Sequence, residues 1–324
     1  MPRIWAVGGG KGGVGKSVIA TNIAASIAKS DQSVALVDAD LGGANLHTLL
    51  GVPSPKVNLA DFISKKVSSL GEVMTPTPIE NVWLVSGAKA LVEMANPNFG
   101  QKSKILRHLR SLDVDHVVLD LGAGTSFNVL DFFLAARKGV LVVVPEPTSI
   151  ENAYHFLKAT FFRKLKRAEP RAQVKAAIKE VMNGSGRNKV KTPKDLISQV
   201  WSVDPDVGAA LVAEASSFRP GLIVNRVDQP SHERLGEDIV SACRDYFGIR
   251  IQFLGSLPTD KLVVRSVVEQ KSGSSLEPTS ARFGAHTATE ELSMSPRPSP
   301  PTISSTMKSG RAWWIESKRP TGES

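Results

Sequence analysis

Cysteine is almost missing from this chain: Cys243 is the only one in 324 residues. That excludes an internal disulfide and any site built from several cysteines of one chain, and it fits a reducing compartment. Cys243 falls in a helical pattern and reads as a packed thiol. No apolar run approaches the roughly 20 residues needed to span a bilayer. Met1-Pro2-Arg3 leads directly into an apolar strand pattern, leaving no room for a signal peptide. A cytoplasmic protein is therefore expected. A chain-wide charge surplus is absent too. Between Arg163 and Lys194 there are 11 basic and 2 acidic residues, which accounts for the whole net charge of +9 and leaves 29 of each sign elsewhere. Such a segment attracts nucleic acid, anionic lipid or an acidic protein face, or else it is a solvated helical hairpin whose charge aids solubility.

What the chain does carry is concentrated near its start. Gly10-Lys11-Gly12-Gly13-Val14-Gly15-Lys16-Ser17 fulfils the phosphate-loop spacing G-x-x-x-x-G-K-[ST], with a second lysine, Lys11, inside the loop. Glycines let backbone N–H groups close around phosphate oxygens, Lys16 brings a point charge to the outer phosphates, and the Ser17 hydroxyl suits Mg²⁺. Ile4 to Val7 is a short apolar run and Ser17 to Ala28 has helical spacing, so the loop joins a strand to a helix N-terminus, where anions are favoured. A nucleoside triphosphate site is the reading.

Short apolar runs alternate with helical patterns along the rest of the chain. Strands are expected at Ile4 to Val7, Ser33 to Val37, Val82 to Val85, His116 to Leu119, Gly139 to Val144, Leu222 to Val224 and Ile251 to Leu254. Helices are expected at Ser17 to Ala28, Ser103 to Leu112, Ser126 to Ala136, Ile150 to Arg167 and Ser231 to Phe247. Continuously apolar strands suit a mostly parallel sheet with helices on both faces, so the fold class is doubly wound α/β. Two regions break the alternation. Residues from about 164 to 219 read as a basic, partly helical insertion with a break at Asn183-Gly184-Ser185-Gly186. From about Ser272 the chain is rich in Ser, Thr and Pro and reads as a disordered tail, with one cluster of aromatics and bases from Arg311 to Arg319. The organisation expected is a phosphate-loop domain over 1–271 and a tail over 272–324.

Three acidic residues fall at strand ends near the loop: Asp38 and Asp40 after the second strand, and Asp120 in Val117-Val118-Leu119-Asp120, followed by Gly122-Ala123-Gly124. Carboxylates so placed hold Mg²⁺, mostly through its waters, and orient an attacking water. Each alone is a weak signal, because Asp often caps a helix; together with the lysine-rich loop they are strong.

On these residues the chain resembles the MinD/ParA family of ATPases, whose loop reads K-G-G-x-G-K-[ST]. The resemblance spans roughly Ile4 to Glu269. It rests on Lys11 to Ser17, on Asp38-Ala39-Asp40-Leu41-Gly42 with Asn45-Leu46, on Asp120 to Gly124, and on Pro145-Glu146-Pro147-Thr148, Asn225-Arg226 and Gly255 to Asp260. The resemblance implies a set of roles. Gly10, Gly12, Gly13, Val14, Gly15 and Lys16 hold the phosphates of ATP. Ser17 ligates Mg²⁺, with Asp38 and Asp120 as further metal-site carboxylates. Asp40 orients the hydrolytic water, Lys11 reaches across a homodimer to the partner's ATP, and Asn225 contacts adenine in a pocket lined by the Pro258 segment. A cation at the transferred phosphoryl group is chemically sensible, and one supplied in trans couples hydrolysis to dimerisation.

Within the family, iron–sulfur carriers and arsenite pumps depend on several cysteines, and the tyrosine kinase branch on a tyrosine-rich tail; this chain has one Cys and two Tyr. No separate substrate domain of the amide-ligase kind is visible. The resemblance therefore points to a spatial regulator. The first expectation is an ATPase like MinD or the flagellum-number regulators, acting as an ATP dimer on the cytoplasmic face of the inner membrane. The alternative is a ParA-like partition ATPase that binds DNA nonspecifically through the basic insertion. The tail does not resemble the amphipathic helix that usually ends the first branch.

Overall fold

Strands such as V-A-L-V-D and K-G-V-L-V-V lack the polar alternation of a sheet with one wet face, so helices must cover them on both sides. The computed structural model describes residues 1–40, 43, 45–87, 98–168, 171, 174 and 192–261. The strands are β1 (Arg3–Gly8), β2 (Val34–Asp38), β3 (Met74–Pro76), β4 (Val82–Val85), β5 (His116–Asp120), β6 (Lys138–Val143), β7 (Gly221–Asn225) and β8 (Gln252–Leu257). They form one sheet in the order β3-β4-β2-β5-β1-β6-β7-β8, parallel throughout except for the β3–β4 pair. The doubly wound α/β reading holds. β3 was not foreseen: three residues ending in Pro76 are too short for a periodicity, and proline suits the edge position it occupies.

The helices are α1 (Lys16–Ala28), α2 (Leu46–Leu49), α3 (Leu59–Ile63), α4 (Phe99–Leu109), α5 (Phe127–Ala135), α6 (Pro147–Ala168), α7 (Pro193–Val203), α8 (Pro205–Ser217) and α9 (Leu235–Phe247). Each sheet face has its own core. On one face Ala20, Ala24, Ala25 and Ala28 of α1 let that helix settle closely on Val7, Leu36 and Val118. On the other, Phe133, Phe156, Phe161, Phe162 and Phe247 fill the space beneath α5, α6 and α9. Burying one such phenylalanine contributes about 1.5–3 kcal/mol.

The stretch expected as a basic insertion divides in two. Its second half is α7 and α8, whose Leu196, Ile197, Val207, Leu211 and Ala215 join the same core as α6 and α9. Both helices start on local signals. Thr192 and Asp195 form a reciprocal capping box ahead of Pro193, and the Asp204 carboxylate accepts from Val207 N at 3.1 Å ahead of Pro205. Several of the cations are used inside the fold. Lys164 pairs with Glu214 at 2.7 Å, Arg171 with Asp204 at 2.8 Å, and Arg167 with the buried Asp131. Asn183 to Gly186 and everything from Ser272 onward, including Arg311 to Arg319, lie outside the described residues. No helix among the described residues is long and apolar enough to cross a membrane.

Candidate functional site

The strand order puts β1 at the centre of the sheet, with β5 and β2 on one flank and β6, β7 and β8 on the other. Every residue read from the sequence as part of the nucleotide site falls at or just beyond the carboxyl ends of these strands, the position where ligands bind open α/β sheets. The loop from Gly9 to Gly15 leaves β1 and opens α1. Gly15 is the N-cap of α1 in a left-handed conformation (φ 96°), and no side chain caps the helix. The first-turn N–H groups of α1 are thus left for an anion.

Two glycines of the loop are required by close approach. A Cβ on Gly15 would collide with the Asn225 side-chain amide, and one on Gly10 with the Asn152 carbonyl of α6. Gly10 therefore seats the loop on α6, whereas a Cβ on Gly12 would only touch Ala123 at 4.0 Å and Gly13 faces open space. Val14 is buried beneath the loop.

The two lysines take different directions. Lys16 is buried and curls back so that Nζ donates to the Lys11 carbonyl at 3.2 Å. Burial holds its pKa below the ordinary lysine value, against the pull of the Asp120 and Asp40 charges. Lys11 points the other way. Its ammonium pairs with the Glu146 carboxylate and donates to the Thr148 hydroxyl at 2.9 Å, both at the start of α6. The Lys11 bond, with the Lys11 charge behind it, holds Glu146 below its usual range.

Asp38 and Asp120 end the paired strands β2 and β5 and lie opposite each other in register. Both are almost fully buried. Burial pushes Asp120 up to about 7 and Asp38 up to about 6. Asp38 accepts backbone N–H bonds from Asp40 at 3.2 Å and from Leu46 at 3.0 Å, one on each oxygen, and so shapes the loop that carries Asp40. Asp120 is bonded to the Ser17 side chain, while its Oδ1 is buried with no hydrogen-bond partner. A buried carboxylate oxygen without a partner is costly. Here it sits among a hydroxyl and other oxygens, the hard donor set that suits Mg²⁺. Asp40 lies against the segment after β5, its Oδ1 being 3.0 Å from where a Gly122 Cβ would stand. Lys16, Ser17, Asp40 and Asp120 thus converge.

On the opposite flank, Asn225 at the end of β7 donates its side-chain N–H to the Val14 carbonyl at 2.9 Å. This bond pins the phosphate loop and leaves the Asn225 carbonyl oxygen and one N–H for a ligand. Pro258 follows β8 and lies exposed beside it. Pairing of Asn225 with Leu257 keeps the two strand ends together.

Sequence reasoning missed two features. Glu146 and Thr148 were noted without a role, because nothing local signals a pairing with a lysine 135 positions away. The second is Asp131. It is buried on α5 and engaged by Lys102 at 2.7 Å and by Arg163 and Arg167.

Comparison with known proteins agrees with this geometry. A family model described as ParA, NUBPL iron-transfer P-loop NTPase, matches residues 1–168. The antiactivator FleN of Pseudomonas aeruginosa is 37% identical over 158 residues, covering 48% of this chain and 55% of FleN. The flagellum site-determining protein YlxH of Helicobacter pylori is 33% identical over 162 residues, covering 47% and 52%. The matched stretch thus spans about half the length of these curated relatives. The structure of the septum site-determining protein MinD of Pyrococcus horikoshii, complexed with Mg-ADP, superposes with a TM-score of 0.55 at 20% identity. It covers 88% of this chain and 92% of that one, which shows a shared fold.

Proposed function

Because the chain belongs to the ParA/MinD family of P-loop NTPases, we propose that it is a Mg²⁺-dependent ATPase whose ATP-bound homodimer acts as a spatial regulator of flagella or the division septum. The observation that carries the catalytic part is the unpartnered Asp120 oxygen, buried beside Ser17 and Lys16 at an uncapped helix N-terminus. Ser17 and Asp120 hold the metal in this reading, and Mg²⁺ when bound neutralises charge on the outer phosphates. Lys16 and the loop amides grip those phosphates, Asp40 positions the water, and Asp38 keeps the Asp40 loop in place through its two backbone bonds. Lys11 serves the partner's nucleotide once it leaves Glu146.

The regulatory part is supported by the names of the relatives, an antiactivator and a flagellum site-determining protein. An iron–sulfur carrier role fits poorly: Cys243 is the only cysteine, and its burial on the face of α9 that meets α6 pushes its thiol up to about 12. The partition alternative rested on the basic stretch, and Lys164, Arg167 and Arg171 of that stretch are paired within the chain. Those pairs weaken lipid and DNA contacts alike, so the preference for membrane action rests on the flagellar and septum-placement names of the relatives. Co-sedimentation with anionic liposomes and with duplex DNA, each with ATP and with ADP, tests the reading. ATP-dependent recovery with liposomes is expected, and ATP-dependent recovery with DNA alone would replace it by the partition reading.

A further inference from the structure

We infer that Asp228 and Thr259 form a clasp that makes the base pocket select adenine over guanine, an inference that rests on the nucleotide reading above. The direction of a bound nucleotide follows from the sheet. Asp38, Asp40 and Asp120 gather on the β5 and β2 flank of the phosphate loop, where the outer phosphates and metal belong. The base must leave on the other flank, toward the ends of β7 and β8, where Asn225 already touches the loop.

The chain makes an unusual turn to build that flank. Arg226, immediately after β7, has φ 59°, a left-handed conformation that a residue with a side chain adopts at a cost. The turn lets Val227 N donate to the Leu257 carbonyl at 2.9 Å. It then delivers Asp228 to the loop after β8. There one carboxylate oxygen accepts from Thr259 N at 3.2 Å and the other from the Thr259 hydroxyl at 2.8 Å. Both residues are exposed, in the segments that follow β7 and β8, the flank assigned above to the base.

The chemistry of the two purines gives this clasp a consequence. The edge of guanine presents two adjacent donors, N1–H and the exocyclic N2 amine, which match a free carboxylate. Adenine presents an acceptor at N1 and a donor at N6, so a free carboxylate would set lone pair against lone pair. With one hydrogen bond from Thr259 on each oxygen, Asp228 is a weaker acceptor for a guanine edge, and its charge is partly screened from adenine N1. Guanine then lacks a full carboxylate partner for its two donors, while adenine is not repelled, which tips the preference toward adenine.

Titration calorimetry of the full chain with ADP and with GDP tests this, diphosphates keeping hydrolysis out of the readout. The wild-type chain is expected to prefer ADP. Thr259→Ala frees one carboxylate oxygen and should narrow that preference about tenfold by a gain in GDP affinity, the worth of one charge-assisted hydrogen bond. Adding Asp228→Asn should reverse the gain, and Thr259→Ser, which keeps the hydroxyl, should retain the wild-type preference even if the alanine variant folds poorly. Equal ADP and GDP affinity in the wild type, parallel losses for both nucleotides in Thr259→Ala, or a lost preference in Thr259→Ser would each overturn the clasp while leaving the nucleotide site standing. Failure of the wild type to bind either nucleotide would overturn the ATP-binding reading and the clasp with it.

Discussion

Lys11 and Glu146 stand 135 positions apart in the sequence, yet their side chains are joined on the face of the phosphate loop, with Thr148 as a second partner of the same ammonium. A lysine proposed to act on the partner's nucleotide is thus parked within its own chain. In the proposed role Lys11 has to leave Glu146, so the pair is expected to oppose the dimer. Glu146→Gln should raise the affinity of the ATP-dependent dimer by less than about tenfold, the range of a half-exposed ion pair, with the gain fading in high salt. Analytical ultracentrifugation with ATP across salt concentrations reads this out. Unchanged or weaker self-association in the variant would show that the contact does not compete with the dimer.

Lys11, Lys16 and Asp40 should separate cleanly under substitution. Lys16→Ala removes the buried charge beneath the phosphates and is expected to abolish ATP binding in calorimetry. Lys11→Ala should bind ATP and stay monomeric, whereas Asp40→Ala should bind ATP and persist as a dimer with hydrolysis reduced by 10²-fold or more. If the Lys11 and Asp40 variants behaved alike, the division of roles between them would fail.

The buried Asp120 carboxylate proposed to hold Mg²⁺ is expected to make metal binding pH-dependent, with Asp38 titrating beside it. Asp120 at about 7 and Asp38 at about 6 both lie above the unfolded carboxylate value of 3.8, because burial penalises their charge. Their contribution to stability is therefore present below about pH 4 and is lost as pH rises through 6 to 7. Mg²⁺ needs the ionised form, so its enhancement of ATP binding should be full at pH 8 and small at pH 5.5. Without metal, Asp120→Asn should melt at or above the wild-type temperature at pH 8, because the neutral amide removes the buried negative charge, and should lose the Mg²⁺ enhancement at every pH. A wild-type Mg²⁺ effect that is flat from pH 5.5 to 8 would remove Asp120 from the metal site.

What was legible in the sequence was what is local. The phosphate loop occupies consecutive positions, and the strand ends that carry Asp38 and Asp120 announce themselves as apolar runs closed by an acid. The helices α7 and α8 also had local signals, in Thr192-Pro193-Lys194-Asp195 and Asp204-Pro205, but the charge surplus upstream drew the whole stretch into one insertion. Contacts between distant segments had no such signal. The Asn225 amide reaches the Val14 carbonyl across 211 positions, and its spare hydrogen-bonding capacity gives no hint from sequence that the loop itself is a partner. The carboxylate of Asp131 reads as one polar position on an apolar helix until Lys102, Arg163 and Arg167 surround it.

The basic stretch can now be divided by experiment into cations that hold the fold and cations available to a partner. Asp131 is nearly inaccessible, and although burial pushes its pKa up, the bonds from Arg163 and Lys102 and the Arg167 charge outweigh that and hold it below the ordinary carboxylate range. A depressed value means that its stabilisation is present above about pH 4 and lost on acidification. Removing the anion leaves three cations crowded together, so Asp131→Ala should cost about 3–5 kcal/mol and be visible in thermal melts at pH 7. Neutralising Lys164, Arg167 and Arg171 together should also lower the melting temperature, because Glu214, Asp131 and Asp204 lose their partners. Lys175, Lys179, Arg187, Lys189 and Lys191 complete most of the surplus and lie outside the described residues. Neutralising these five is expected to weaken ATP-dependent liposome binding and to flatten its dependence on salt, each basic residue near an anionic surface being worth on the order of 1 kcal/mol. If instead the first set abolished liposome binding with no change in melting temperature, its ion pairs would be incidental and the partner surface would lie on α6.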